Sequence, residues 1–167
     1  MKTTSVEGLT TVQSDFGPDE TMSLLEKEIQ ARGMTVFARI NHAVLAAEAG
    51  LTLRPTELIV LGNRRGGTPL MQANQTIGID LPLKALVWQD AAGQTWLSHN
   101  EPAWLAKRHE TAGAERALAA MGLALGDISA EATKNIRLSS ANHPPGQQEP
   151  CAPALIRNGD KHQSISD

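Results

Sequence analysis

The stretch LPLKALVWQDAAGQTWLSHN, residues 81–100, constrains the fold more than any other part of the chain. Leu83, Ala85 and Val87 alternate with Lys84, Leu86 and Trp88, the period of a strand with one face on a core. Only DAAG separates this run from QTWLSHN, and Gly93 is free to take the positive φ of a tight reversal. Two strands joined so closely pair antiparallel. A regular doubly wound sheet, in which every strand is followed by a crossover helix, is thereby excluded.

The residues before the hairpin alternate strand and helix. GLTTVQS (8–14) is β-branched and reads as a strand. In FGPDETMSLLEKEIQARG, Pro18 suits the first helical position, Asp19 and Glu20 the positive end of the dipole, and Gly33 the stop. Met22, Leu25 and Ile29 recur at helical spacing and predict one apolar stripe laid on a sheet. MTVFARI predicts a half-buried strand with Met34, Val36, Ala38 and Ile40 on one face. NHAVLAAEAG predicts a short helix capped by Asn41 and ended by Gly50. ELIVLGN predicts a central strand, and TPLMQAN a short helix with Pro69 near its first turn.

After the hairpin, PAWLAKRHE opens a helix at Pro102. A longer one follows, with Ala114, Leu118, Met121 and Leu125 in register, a break at Gly126, and a last helix beyond it. The order β-α-β-α-β-α-β-β-α-α predicts an α+β domain over residues 1–140, with helices mainly on one face of a mixed sheet of about five strands. Residues 141–167 are rich in Pro, Gly, Ser and Gln and predict a flexible tail, since so polar a segment buries too little to offset its ordering entropy.

Composition narrows the function. A net charge of −3 gives no general attraction to nucleic acid or anionic lipid, so any anion site is local. With no tyrosine and 3% aromatic residues there are few platforms for stacked bases. The single cysteine, Cys151, excludes an intrachain disulfide, and the five scattered histidines predict neither metal nor cofactor. No signal-peptide core and no membrane-length apolar run is seen, which predicts a cytoplasmic protein without membrane partners.

Several segments resemble the domain of unknown function 302 family, small α+β proteins of bacteria and archaea. They are INHAVLAAEAGLTLRPTELIVLGNRRGGTPLM, IDLPLKALVWQD and PAWLAKRH, within a match from Gly8 to His109. The resemblance implies the fold and a homodimer, and implies no reaction. Two positions depart from the family pattern. Asn41 stands where the family carries Asp before His42, which removes a carboxylate from an Asp–His pair. Arg64 stands where the family carries Pro, which adds a positive charge.

The candidate site is LIVLGNRRGGTPLM (58–71), where a strand runs into a corner rich in Gly and Arg. If Gly66 and Gly67 turn the backbone sharply and Thr68 caps the next helix, free N–H groups sit at the positive end of a dipole. Arg64 and Arg65 then bring charge, and Asn63 and Lys84 complete the binding set. The alternative is a tight turn and cap with solvated arginines. Neither phosphate-loop fingerprint, G-x-x-x-x-G-K-[ST] or G-x-G-x-x-G, is present.

His42 is the candidate general base, with a packing or capping role at the helix start as the alternative. It precedes a helix, as the glycine corner does, and such loops can gather at one end of a sheet. Lys84 belongs on the face away from the core, at solvent, a cleft or an interface, and shares that face with Leu86 and Trp88. Arg108 and His109 complement a helix C-terminus, and Asp80 shapes a turn. The leading expectation is a non-catalytic dimeric module for a small anion at Asn63–Thr68, with His42 and Lys84 lining the cleft. An enzyme acting on a phosphorylated or carboxylated metabolite, and a dimer that only binds partners, are the alternatives.

Overall fold

In the computed structural model, which describes residues 6–134, the hairpin is the centre of an open five-stranded sheet. Strands β4 (Leu83–Gln89) and β5 (Thr95–Asn100) pair with Trp88 opposite Trp96, and Gly93 has φ 81°. Strand β3 (Thr56–Gly62) pairs with β4, and β2 (Thr35–Asn41) with β3 at one edge; β1 (Leu9–Gln13) pairs with β5 at the other. The order is β1-β5-β4-β3-β2 and every pairing is antiparallel, where a mixed sheet was expected. The reason lies in the connections. The helices between β2 and β3, and between β3 and β4, serve as wide turns, so each strand comes back beside its predecessor.

Helix α1 (Pro18–Ala31) makes the one long crossover, from β1 at one edge to β2 at the other. It starts at Pro18, is stopped by Gly33 at φ 66°, and buries Met22, Leu25 and Ile29 as the periodicity predicts. These pack on Ile59, Leu61, Ala85, Val87 and Leu97, all on one face of the sheet. Burying each such side chain contributes about 1.5–3 kcal/mol before entropy is set against it.

Helix α5 (Glu115–Thr133) lies beside α1 and adds Leu125, Ile128 and Ala132 to the core. It runs through Gly126 unbroken, so the predicted break and separate last helix do not form. Tertiary packing on both sides of Gly126 outweighs the roughly 1 kcal/mol that a mid-helix glycine costs.

The alternation read in β2 is also corrected. A bulge between Val36 and Ala38 puts Val36 opposite Leu61 on the helix-covered face but Ala38 opposite Val60 on the other. One extra residue exchanges faces, because side chains alternate with period two. Met34, Val36, Ala38 and Ile40 therefore do not share a face. The predicted tail, 141–167, lies outside the described residues.

Candidate functional site

Beyond Gly62 the chain forms neither the glycine cradle nor the tight turn capped by Thr68 that the sequence left as alternatives. Helix α3 (Arg64–Ala73) begins at once, with Asn63 as its cap. Asn63 Oδ1 accepts from Arg65 N–H at 2.9 Å, and its carbonyl accepts from Gly66 N–H at 2.9 Å and Gly67 N–H at 3.2 Å. The Thr68 hydroxyl donates back to the Arg64 carbonyl at 2.8 Å instead of capping, and Pro69 lies inside the helix. The amide cradle is thus consumed by the helix itself. Asn63 is a strong cap, and capping begins helices wherever it is available.

Gly66 and Gly67 are positions within helix α3. Neither Gly66 nor Gly67 has positive φ. A Cβ on Gly66 would lie 3.4 Å from the Met121 methyl of α5, and one on Gly67 would lie 3.6 Å from Leu81. Both are ordinary van der Waals distances, so the packing there would accept a Cβ.

A cleft with a volume of about 870 Å³ lies among α3, α5, the entry to β4 and the start of β2. Its walls are apolar and soft: Phe37 and Met71 are partly exposed, with Leu81, Leu83, Met121 and Leu125 around them. Unbranched methionines adapt to varied ligand shapes. Four arginines line it: Arg32, Arg64, Arg65 and Arg116. Arg32 is paired with Glu28. Among the described residues, Arg64, Arg65 and Arg116 have no carboxylate partner, and all three are exposed. Arg39, outside the cleft, is the contrasting case. Burial works against its charge, but hydrogen bonds and charges of Glu57 and Glu26, each at 2.8 Å, outweigh it and raise its pKa.

The expected binding set is brought together only in part. Asn63, Arg64, Arg65, Gly66, Gly67 and Thr68 line the cleft, but His42 and Lys84 do not. His42 opens helix α2 (His42–Glu48), just after Asn41, which pairs with Glu57; Gly62 pairs with Thr35 at the opposite end of the same ladder. The five steps from Glu57 to Gly62 span about 17 Å. His42 and the arginine corner therefore lie at opposite ends of the sheet. Antiparallel neighbours put successive connections at alternate ends, which the expectation that they gather at one end overlooked.

Lys84 stands on the face away from the helices, opposite Val60, and its Nζ donates to the carbonyls of Asp80 at 3.0 Å and Pro82 at 3.3 Å. Leu58, Leu86, Trp88 and Trp96 are half-buried on that same face. The two tryptophan rings stack with centroids 6.1 Å apart.

Sequence reading missed one polar network. Helix α4 (Pro102–Arg108) ends at His109, whose Nε2 lies 2.7 Å from Asp80 Oδ2 and whose Nδ1 lies 3.0 Å from Thr76 Oγ1. Arg108 reaches the same carboxylate at 3.2 Å, and Asn74 donates to the His109 carbonyl at 2.6 Å. This joins α4 to the short turn Gln75–Ile79 that follows α3. It contributes nothing to the cleft lining and acts as a clamp behind it. No sequence spacing signals a pair 29 residues apart.

These features define a small α+β protein with one helix-covered sheet face and an arginine-rimmed apolar cleft. The chain belongs to the family described as Domain of unknown function DUF302, which matches residues 10–128. The solved structure of an uncharacterized conserved DUF302 protein from Bacillus stearothermophilus has the same fold, with a TM-score of 0.69. It is 21% identical, and the likeness covers 76% of this chain and 99% of that one. Proteins named fluoride-specific ion channel FluC 1 from Brucella suis and FluC 2 from Brucella melitensis are each 51% identical over 102 residues, 61% of this chain. The chain spans 40% and 38% of their respective lengths. No helix among the described residues is long and apolar enough to cross a membrane.

Proposed function

We propose that this protein is a non-catalytic binding module for a small amphipathic anion, held in the cleft between α3 and α5. The observation that carries this reading is the combination of apolar walls with Arg64, Arg65 and Arg116, cations without carboxylate partners among the described residues. An apolar pocket with a few placed charges is the usual form of a small-molecule site. The anion binds guanidinium groups, not the helix amides, which are already bonded.

Catalysis is the weaker reading because, among the described residues, no His, Asp, Glu, Lys or Cys lines the cleft, and general acid–base chemistry needs one within hydrogen-bond reach. Nor is the channel activity in the names of the Brucella relatives carried over. The matched segment is well under half of those proteins, and no described helix here has the length and apolarity of a membrane span.

The test is calorimetric titration of octanoate into the wild type and the Arg65→Ala, Arg116→Ala and His42→Ala variants. Saturable binding should weaken about three- to tenfold in each arginine variant, with added salt opposing it, and stay unchanged in His42→Ala. Absence of binding to the wild type, or equal binding by the arginine variants, refutes the reading.

The face opposite the helices supports a homodimer. Leu58, Val60, Leu86 and the stacked tryptophans share it, and the Lys84 ammonium is folded onto carbonyls so that two copies meet with little repulsion. Sedimentation should give a dimer for the wild type and a monomer for Leu86→Glu; a monomeric wild type rejects this interface.

A further inference from the structure

We propose that a second cavity, on the other side of α5, binds a small protonated amine. It has a volume of about 530 Å³ and lies among α5, the start of α4 and the edge formed by β1 and β5. It is separate from the anion cleft. Helix α5 turns Arg116 and Met121 toward the cleft and Glu115, Leu118, Gly122 and Gly126 toward this cavity.

The observation that marks it as a ligand site is His99. His99 lines the cavity and is only 6% exposed, and its Nε2 is buried without a hydrogen-bond partner among the described residues. Nδ1 lies 3.1 Å from the Asn100 carbonyl, which can only accept, so the proton belongs on Nδ1. Nε2 of the neutral ring is then a lone-pair acceptor with nothing donating to it. Such a group costs roughly 1–3 kcal/mol when buried, and a ligand N–H would recover that cost.

Charge selects the ligand. Glu101 and Glu115 line the cavity, and no Lys or Arg among the described residues does. The Glu101 carboxylate accepts from the Thr10 hydroxyl at 3.1 Å, its one side-chain partner among the described residues. Hydrogen bonds from its own N–H and from Gly113 N–H hold the Glu115 carboxyl below its ordinary pKa despite an opposing desolvation effect, so it remains ionised at neutral pH. Pro102, Ala103 and Leu118 supply apolar wall. The occupant therefore has an ammonium head, N–H donors and a short apolar body. A metal ion is the poorer fit, because no group of three or more His, Cys, Asp and Glu among the described residues is placed to hold one. Nε2 is closed in, so contact requires the wall to give. Gly122 and Gly126 leave open space in the α5 wall: a Cβ built on either meets nothing within 4 Å.

The experiment follows the His99 ring by two-bond proton–nitrogen NMR in the full chain, during titration with primary alkylammonium ions from ethyl to hexyl. A saturable shift of the Nε2 resonance is expected at one or more chain lengths. Affinity should fall about tenfold or more in Gly126→Leu, whose side chain fills the notch, and butanoate should leave the resonance unmoved. If Gly126→Leu fails to fold, Gly122→Leu serves the same purpose. No shift with any ammonium ion, an equal response in the filled variant, or an equal response to butanoate overturns the proposal. Octanoate binding and its loss in Arg65→Ala report on the other cavity, so the two readings fail separately.

Discussion

Removing the Asp80 carboxylate should loosen the clamp behind the cleft by a measurable amount. Asp80 Oδ2 accepts from His109 Nε2 at 2.7 Å, with side-chain exposures of 15% for Asp80 and 9% for His109. A hydrogen bond involving an ionised group in such a setting is worth about 1.5–3 kcal/mol. Arg108, at 3.2 Å, has a side chain 52% exposed, and solvent screening reduces its share to under about 1 kcal/mol. Asp80→Ala should therefore destabilise by about 2–3 kcal/mol, which lowers Tm by roughly 6–12 °C in a domain of this size. Urea denaturation followed by the tryptophan signal is the assay, with His109→Ala and the double variant closing a thermodynamic cycle. The coupling between the two side chains should be about 1–2 kcal/mol. Single-variant losses under about 0.5 kcal/mol, or additivity in the cycle, would refute the reasoning and show a pair that is merely solvated.

Two further substitutions probe separate parts of the account. Asn63→Asp keeps the cap of α3 and should leave Tm unchanged or slightly raised, yet place a carboxylate among the arginines and lower octanoate affinity; unchanged affinity contradicts the arginine rim. Asp90 accepts from Trp96 Nε1, Gln94 N–H and Ala92 N–H, which together hold its pKa below the ordinary value despite an opposing desolvation effect. A depressed carboxylate adds stability above its unfolded pKa, about 3.9, and loses that addition as pH falls through the lower folded value. Asp90→Ala should thus lower Tm at neutral pH, by a margin that shrinks in strong acid; a constant margin rejects the linkage.

The parts of the fold legible in sequence were those written in local chemistry. The DAAG hairpin, the Pro18-to-Gly33 helix and the Asn41 and Gly50 ends of α2 all appear where residue type and spacing put them. The parts that were not legible depend on contacts distant in sequence. The β2 bulge belongs to its pairing with β3, and α5 passes Gly126 because both of its halves pack on the same core. In the candidate site, the residues of the corner were readable, but their roles were inverted. The glycines are ordinary helix positions, and the amides close on Asn63. Arg116 carried no signal of its own, since an arginine near the start of a helix is ordinary until α3 is seen across from it.

The central claim is that one cleft supplies both an apolar wall and a cationic rim. Its most direct test is the affinity of linear carboxylates from acetate to decanoate, measured by titration at constant ionic strength. Each methylene that enters the cleft contributes about 0.8 kcal/mol, so affinity should climb about fourfold per carbon until the cavity is full. Arg65→Ala should weaken the longer acids without changing that slope. An affinity independent of chain length would contradict the account.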